Sequence, residues 1–537
     1  MTNIYNNARM RTGLLLQQPT GTWTNGYTWD AAHRPSTETS PAGTVTYNYK
    51  VGQASSLPIK FSLPNSSYIT NTYDNVARLT GTYLDNSSNT VLDKSEYLYN
   101  AGNQRIRLTR TDASYYTNTY DNIGQLKWSD STVASEDRGY LYDAAWNLSK
   151  RTNNAGTDTF SVDSKNQYTS GPGGTFTYDD NGNLTYYGQS LGWERYFTYD
   201  AENQLISVQV PGYFYSTFTY DGRGRRRQRT EYTWSGSNWV FAQTINYIYD
   251  GMLVIQERDN NGNTPLVSYT RGSDLSGSLE GAGGIGGMLA RSHGYSSGSF
   301  TNHNFYHADG NGNITYMENS SQSMVASYRY DPYGNTISSS DTLASANLYR
   351  FSSKEVDVNY TDSGLYYYGY RWYDPNLQRW LNRDPNEESG FETLTSFARI
   401  RVGDVSSTDS LIGDISTSVS NSAIIIMANK SNAFAIVAND PISLYDAWGL
   451  QLGSPYTGSP GKCAPRIHYT CELSEERQRT SIGGQPFIGV ECMYKCKSGG
   501  GDKLPVSILK KGGKKGDCPK TTSFYQEGNN GGGAIRG

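Results

Sequence analysis

The stretch FTYDDNGNLTYY, residues 176–187, decides the fold class of this chain. Its aromatic and apolar residues alternate with polar ones on both sides of a central turn, which is the period-two pattern of half-buried strands. At the turn, Asn181-Gly182 supplies the positive φ angles that a type I′ hairpin needs. The stretch therefore predicts a strand, a tight turn and a second strand.

The same unit recurs along the chain as aromatic-x-Tyr-Asp followed by x-x-Gly/Asn-x-Leu. Several neighbouring copies start 21 or 22 residues apart, a period typical of stacked structural repeats. One hairpin is only marginally stable, so the units are expected to join edge to edge into a long twisted sheet, which coiling into a shell would protect at its edges. The clear copies are Tyr73-Asp74, Tyr120-Asp121, Tyr142-Asp143, Tyr178-Asp179, Tyr199-Asp200, Tyr220-Asp221, Tyr249-Asp250 and Tyr330-Asp331.

The composition supports an ordered, mostly β chain. The 537 residues include 45 tyrosines and 57 glycines, and 13% are aromatic, while the formal net charge is only -4. Disordered chains have few aromatics and a high net charge. No apolar run is long enough for a membrane helix, and residues 1–18 lack the apolar core of a signal peptide. Neither a membrane span nor a cleaved leader is expected.

The repeats resemble the YD repeats of the RHS and teneurin family over roughly residues 20–350. The resemblance implies an all-β fold in which YD-repeat hairpins join into a long spiralling sheet or a partial barrel-like shell, with a small variable C-terminal region. The expected divisions are a repeat shell at residues 1–348, a core segment at 349–450 and a variable tail at 451–537.

The segment from Tyr349 to Pro385 resembles the RHS-repeat-associated core, whose hallmark is a Gly-Leu-Tyr-Tyr run that leads to Arg-Tyr-Tyr-Asp-Pro and a second Asp-Pro. A second family hallmark, Pro-x-x-x-x-Asp-Pro-x-Gly-Leu, is matched by PISLYDAWGL, residues 441–450, with Ala447 in place of the second proline. The residues that match the first hallmark are Gly364, Leu365, Tyr366, Arg371, Tyr373, Asp374, Pro375, Arg379, Asp384 and Pro385.

In this family, an intramolecular aspartic protease cuts the chain after the second hallmark. The resemblance therefore implies a scissile bond between Leu450 and Gln451. The family's essential arginine and aspartate fall on Arg371 and Asp384, and a further aspartate falls on Asp446. The motif residues expected to support the site are Pro441, Gly449 and Arg379.

These residue types suit aspartic proteolysis. One carboxylate must act as base toward a water, and an acid must protonate the leaving amine. Two carboxyls held close share one proton, and an arginine can orient one of them through paired hydrogen bonds. We assign Asp384 as the base, Arg371 as its orienting partner, and Asp446 or Asp374 as the second acid. A structural role remains the alternative, because Asp-Pro pairs open turns and Arg–Asp pairs are commonly structural.

The spacing between the two hallmarks departs from the family pattern. Asp384 and Asp446 are 62 residues apart, much farther than is usual, and the extra segment near residues 393–431 fits no repeat. It either loops out harmlessly or displaces the cut site, which would leave a relic with an inactive core.

The tail differs in composition from the rest of the chain. It carries 13 Lys and Arg against 7 Asp and Glu, and all five cysteines lie between Cys463 and Cys518. The cysteine spacings match no zinc finger, so two disulfides and one spare thiol are expected. The charge fits a nucleic-acid or membrane-surface target, although a soluble domain with an ordinary basic face is favoured. In RHS effectors this position holds a small toxin.

Three other signals are given structural interpretations. The glycine-rich run from Glu280 to Ala290 lacks the lysine of a phosphate loop and indicates close strand contact. The run from Asp309 to Asn313 indicates a hairpin turn rather than a calcium loop, and the basic run from Arg223 to Arg229 indicates a solvated strand pair. No cofactor and no metal site are expected.

Three functions follow from the residues and the resemblance. The first is a shell that encloses its own C-terminal passenger and releases it by self-cleavage after Leu450, in toxin delivery or contact-dependent competition. The second is a non-enzymatic adhesion or carbohydrate-binding protein, and the third is the relic. The expected partners are the tail as cargo, secretion machinery, an immunity protein or cell-surface glycans. The expected location is secreted or on the surface of a bacterium.

Overall fold

The computed structural model describes residues 1–50, 55–154, 156–172, 174–189, 194–359, 364–385 and 434–449, and the backbone of the strands between residues 452 and 526. The chain divides into two compact units, Met1–Ser459 and Pro460–Gly537. Among the described residues, no helix is long and apolar enough to cross a membrane. Their regular structure is β-strand apart from short 3-10 turns at Ala134–Glu136, Phe351–Ser353 and Val437–Asn439. The all-β prediction is confirmed.

The first large sheet has fifteen strands in sequence order. Each strand pairs antiparallel with the next, as consecutive hairpins require. Its strands are β1 Thr2–Tyr5, β2 Arg11–Gln17, β3 Thr22–Trp29, β4 Pro35–Ser40, β5 Gly43–Tyr49, β6 Pro58–Ser62, β7 Tyr68–Tyr73, β8 Leu79–Asp85, β9 Val91–Tyr99, β10 Arg105–Arg110, β11 Tyr115–Tyr120, β12 Leu126–Ser131, β13 Arg138–Tyr142, β14 Leu148–Asn153 and β15 Gly156–Thr159.

The second large sheet has sixteen strands, also in sequence order. The repeats thus form two sheets with a break at Phe160, and within the described residues neither sheet pairs its first strand with its last. Its strands are β16 Ser161–Val162, β17 Tyr168–Gly171, β18 Gly174–Tyr178, β19 Leu184–Gln189, β20 Glu194–Tyr199, β21 Leu205–Val210, β22 Phe214–Tyr220, β23 Arg226–Trp234, β24 Trp239–Asp250, β25 Leu253–Asp259, β26 Pro265–Arg271, β27 Met288–Ser296, β28 Ser299–Ala308, β29 Ile314–Asn319, β30 Met324–Tyr330 and β31 Thr336–Ser340.

The remaining strands form smaller sheets. The core segment contributes a four-stranded sheet and a two-stranded hairpin, and the second unit contains a four-stranded sheet in the order β40-β39-β38-β41, whose register sets Cys471 opposite Cys496. The expected disulfides stay a prediction, because the tail side chains lie outside the described residues. These strands are β32 Glu355–Asp357, β33 Leu365–Tyr367, β34 Trp372–Asp374, β35 Arg379–Trp380, β36 Tyr445–Asp446, β37 Leu452–Gly453, β38 Ile467–Ile482, β39 Gln485–Ser498, β40 Lys503–Lys511 and β41 Thr521–Gln526.

The aspartate of the repeat closes its own turn. In the copy at Asp121, the carboxylate oxygen Oδ1 accepts the main-chain amides of Ile123 at 3.0 Å and Gln125 at 2.9 Å. The same pair of bonds recurs at most other copies. Such a side chain mimics a turn of main chain and fixes the loop geometry.

The turn type differs from the predicted type I′. At residues 179–183, Gly182 has a φ of 89°, whereas a type I′ turn needs positive φ at two consecutive residues. The Gly182 amide donates to Asp179 O at 3.0 Å, and the Asp179 amide donates to Asn183 O at 3.0 Å. This is a type I turn followed by a left-handed residue, which the aspartate side chain favours by accepting the turn amides.

The tyrosine of the repeat joins neighbouring strands at the same end of the sheet. The Tyr120 hydroxyl donates to Arg105 O at 2.7 Å, and the Tyr220 hydroxyl donates to Leu205 O at 2.7 Å. In each case the acceptor is the first residue of the preceding strand. The strand register also shifts next to these tyrosines, as at a β-bulge. The shift turns the hydroxyl toward the end of the neighbouring strand.

The two large sheets contact each other through their buried faces. The Trp23 and Phe300 rings lie 4.9 Å apart between centroids. His307 on β28 links to β9 and β8, with Nδ1 2.8 Å from Asp93 Oδ2 and Nε2 3.1 Å from Thr82 Oγ1. Thus, residues far apart in sequence share one core, and the core segment is enclosed within it.

The core segment also explains an error in the sequence analysis. Arg226 and Arg229, expected on a solvated strand pair, are only 1% and 5% exposed. Arg226 Nη2 lies 2.6 Å from Glu355 Oε2, and Arg229 Nη1 lies 3.2 Å from Glu355 Oε1. These two arginines are therefore buried, because β32 brings a carboxylate to them, whereas Arg223 at the start of the run is exposed. The turn expected at Asp309–Asn313 is confirmed by the bond from the Gly312 amide to Asp309 O.

Replacing Asp121 with alanine should destabilise the shell by about 1–3 kcal/mol, because two turn amides lose their acceptor. The measurement is the free energy of unfolding in urea, or the apparent melting temperature. Asp130→Ala, at an exposed position of β12, is the matched control and should change little. Equal effects of the two substitutions would contradict the proposed role of the repeat aspartate.

Candidate functional site

Arg371 lies at the centre of the core segment. A turn closed by the Tyr368 amide, which donates to Arg371 O at 3.0 Å, precedes β34 and sets the arginine at its start. The side chain is 1% exposed, and the guanidinium lies 4.2 Å from the centroid of the Trp380 ring. A cation in such an apolar enclosure needs anionic partners, because desolvation is otherwise too costly.

Two aspartates supply that negative charge. Asp384 Oδ2 lies 3.1 Å from Arg371 Nη2, and Asp446 Oδ2 lies 3.4 Å from the same nitrogen. Their environments differ, since the Asp384 side chain is 18% exposed and the Asp446 side chain only 2%. The structure thus brings together three of the four residues assigned to catalysis, although 62 residues separate the two aspartates.

The segment after Asp446 is held against this group. Arg371 Nε donates to Gly449 O, and the Tyr370 amide donates to Trp448 O at 3.3 Å. Gly449 has a φ of 73°, and a Cβ atom there would lie 3.0 Å from Arg371 Cβ, so this position favours glycine.

Two paired strands flank the expected cut in sequence. Asp446 on β36 pairs with Leu452 on β37, and residues 447–451 connect the two strands. Leu450 and Gln451, the residues of the expected scissile bond, lie outside the described residues. Their described neighbour Gly449 lies beside Arg371.

The glycine-rich run is part of the site, which the sequence analysis missed. A Cβ atom at Gly283 would collide with the carbonyl oxygen of Ala447. Lys354 Nζ donates to both carbonyls, at 2.8 Å to Gly283 O and 2.6 Å to Ala447 O. The run of glycines was a visible signal of close contact, but its partner is distant in sequence.

The other expected residues lie around the site. Asp374, offered as an alternative second acid, accepts the amides of Asn376 at 2.8 Å and Leu377 at 3.1 Å in its own turn. Arg379 donates to Asn147 Oδ1 at 3.2 Å and to Asn166 O at 3.0 Å, which fastens the core segment to the repeats.

Pro441 and the residue before it anchor the second hallmark. Pro441 O accepts a hydrogen bond from Asn311 Nδ2 at 2.7 Å. Asp440 is buried, and its carboxylate accepts the Ser443 amide at 3.1 Å. Burial raises the pKa of Asp440 to about 7, against weaker opposing hydrogen bonds to Ser443 and Gln104.

The long insertion does not separate the two hallmarks in space. Residues 386–433, which include the expected insertion at 393–431, lie outside the described residues. On the far side, Ala435 bridges to Arg379, and the Trp380 amide donates to Phe434 O at 3.2 Å. The residues that follow the insertion therefore lie beside β35.

Comparisons with known proteins agree with this architecture. The teneurin YD-shell family model matches residues 36–249. The repeats of this chain are therefore those of an RHS/YD-repeat shell. It is 30% identical to the tRNA nuclease WapA of Bacillus subtilis over 43% of this chain, and 25% identical to the double-stranded DNA deaminase toxin A of Burkholderia cenocepacia over 42%. The aligned parts span only 8% and 16% of those two proteins.

A solved structure shows the same fold. The crystal structure of TcdB2-TccC3 superposes with a TM-score of 0.53 at 17% identity, covering 80% of this RHS/YD-repeat chain and 22% of that one. The match extends beyond the repeats that the family model covers, so the fold likeness includes most of the first unit.

Asp440→Asn should stabilise the protein above neutral pH. In the folded protein the Asp440 carboxyl has a raised pKa of about 7. Its contribution to the free energy of unfolding is therefore fully present near pH 4 and is lost as the pH rises to 7, because ionisation is less favourable in the folded state than in the unfolded state. Asparagine keeps the Oδ1 acceptor without the charge. The difference in melting temperature between variant and wild type should grow from pH 4 to 7 and then level off, whereas Asp130→Asn should show no such trend. A constant difference would contradict the assignment.

Proposed function

We propose that this shell cuts its own chain between Leu450 and Gln451 and releases residues 451–537 as a passenger. One observation carries the proposal: a single buried guanidinium contacts Asp384, Asp446 and the carbonyl of Gly449. Here the same cation also holds the peptide segment that leads to the expected scissile bond.

The proposed reaction is hydrolysis by two carboxyl groups. Asp384, the more exposed of the pair, takes a proton from a water whose oxygen attacks the Leu450 carbonyl carbon. Asp446, in the carboxylic acid form, gives its proton to the amine of Gln451 as the peptide bond breaks. One proton is taken and one is given, so the pair ends with the proton on Asp384.

Arg371 favours the assignment of Asp384 as the base and Asp446 as the acid. Its positive charge stabilises the ionised Asp384, and its Nε–H fixes Gly449, so that base and peptide are held by one rigid planar group. Positioning of this kind contributes strongly to intramolecular reactions, because the reacting groups need no further encounter.

The relatives suggest what the passenger is for. WapA is named a tRNA nuclease and the Burkholderia protein a double-stranded DNA deaminase toxin. We infer that residues 451–537 are a toxin-type cargo delivered outside the producing bacterium, at its surface or in a target cell. The net basic charge of the tail suits a nucleic-acid substrate. Secretion machinery and an immunity protein are the corresponding partners.

Asp384→Asn and Asp446→Asn should each slow self-cleavage about 100-fold or more, because either change removes an acid–base group. The measurement is intact mass against time after synthesis of the full chain. The wild type should convert into pieces of 450 and 87 residues.

Asp374→Asn is the matched control for that experiment. Its carboxylate accepts two turn amides, and asparagine retains the accepting oxygen, so cleavage should continue. Cleavage of Asp384→Asn at the wild-type rate would overturn the proposal. A single uncut mass for the wild type would also overturn it and would favour the relic, silenced by the insertion.

An exposed aromatic surface favours a second function, glycan binding. On β22–β24, the Tyr215 and Tyr232 rings stack 5.3 Å apart, and the Trp234 and Trp239 rings meet edge to face at 5.0 Å. Phe241 beside them is 60% exposed. Exposed and half-buried rings side by side suit the apolar faces of sugars, which agrees with the adhesion hypothesis.

If this surface binds glycans, Trp234→Ala with Phe241→Ala should abolish hits of the full chain on a glycan array. The rings of these residues provide the contact area, and the hairpin itself should remain folded. Leu141→Ala, another exposed apolar position, should leave binding unchanged. An array without hits for the wild type would remove the second function.

A further inference from the structure

The peptide segment beside the catalytic pair is held by more than Arg371. Ala447 O accepts a hydrogen bond from Lys354 Nζ at 2.6 Å, and Gly449 O accepts one from Arg371 Nε. Between them, Trp448 O accepts a hydrogen bond from the Tyr370 amide at 3.3 Å. Three consecutive carbonyls therefore each accept a hydrogen bond. A segment held in this manner keeps Gly449 in one position beside Arg371.

Burial of the Lys354 ammonium at this position lowers the stability of the fold. Lys354 is 5% exposed, and its ammonium lies 5.2 Å from the Tyr368 ring centroid and 4.8 Å from that of Trp448. Both of its hydrogen-bond acceptors are neutral carbonyls, those of Ala447 and Gly283. Desolvating an ammonium for neutral partners costs stability that an apolar side chain would not. The charge is therefore better explained by what it holds than by the stability of the fold.

The glycine-rich run forms the opposite wall of this contact. Gly283 has a φ of 65°, and it approaches Ala447 so closely that no side chain fits between them. Asp274 Oδ2 fixes the run by accepting the amides of Ala282 at 2.7 Å and Gly284 at 3.0 Å. The segment is thus confined between a rigid loop and a cation.

We propose that Lys354 is a positioning residue for self-cleavage, which clamps Ala447 against Gly283 so that Gly449 reaches Arg371. Lys354 does not touch the reacting atoms in this scheme, and the proposal rests on the self-cleavage proposed above. The contact of Lys354 with Ala447 does not depend on cleavage, so it can be tested in protein that cannot cut itself.

The clamp makes cleavage sensitive to pH in the neutral range. Burial lowers the pKa of Lys354 to about 7, while Asp446 and Asp274 oppose the shift and Arg271 adds to it. The ammonium is therefore lost as the pH rises through 7, and the cleavage rate should fall with it. Arginine at position 354 stays charged, so Lys354→Arg should move that fall to higher pH.

The first experiment uses the full chain with Asp384→Asn, which stays uncut. Adding Lys354→Met should speed hydrogen–deuterium exchange of the amides at residues 446–449 by about 10-fold, because the clamp is gone. The melting temperature should change little, because relief of the buried charge offsets the loss of a donor to two carbonyls. Unchanged exchange would overturn the clamp, and so would a large fall in melting temperature, which marks a merely structural lysine. This experiment tests the contact of Lys354 with Ala447 even if the wild type does not cut itself.

The second experiment follows intact mass in protein with both aspartates. Lys354→Met should cut about 10–100-fold more slowly than wild type, as small displacements of reacting groups do. Gly283→Ala should slow cutting too. Gly277→Ala is its matched control, since Gly277 also has a positive φ, 78°, yet a Cβ atom there would meet only Ser56 Oγ at 3.9 Å. Wild-type rates for Lys354→Met, or equal effects of the two glycine substitutions, would overturn the proposal.

Discussion

The hydrogen bonds that a turn aspartate accepts from the main-chain amides of the residues two and four positions later are the interaction on which the rest of this shell depends. Each one fixes where a hairpin turns, and therefore which side chains face inward, because a one-residue slip would invert the faces. The tyrosine beside it then joins consecutive turns along the sheet edge, as the Tyr120 hydroxyl does at Arg105 O. Two sheets built in this way can bury many tyrosines whose hydroxyls all need acceptors.

That regular frame supports an irregular centre. The core segment has short strands, yet it buries charged groups in ion pairs: Arg371 with two aspartates, and Glu355 with Arg226 and Arg229 of β23. Buried charge is tolerable only where geometry is fixed from several sides. The shell supplies this constraint, since repeats from both sheets contact the segment, for example through Arg379 and Asn147.

The sequence predicted what local patterns determine. Alternating residues and turn residues gave the hairpins, and the two hallmarks gave Arg371, Asp384 and Asp446, which the fold does bring together. The predicted type I′ turn was wrong, because the preference of Asn-Gly for that turn takes no account of an aspartate that accepts the turn amides. The predicted solvent exposure of Arg226 was wrong, because its partner Glu355 is distant in sequence. Lys354 was missed for the same reason: nothing near a lysine in sequence reveals that it will be buried against a carbonyl.

The two-residue ladder between β36 and β37 has a consequence for timing. Asp446 and Leu452 lie on opposite sides of residues 450 and 451, and their strands pair through the main chain. Severing the covalent link would leave this pairing in place, so hydrolysis and departure are separate events with separate barriers. A nicked molecule would behave as a noncovalent complex of two polypeptides, and the lifetime of that complex, rather than the chemistry, would set when the C-terminal piece diffuses away.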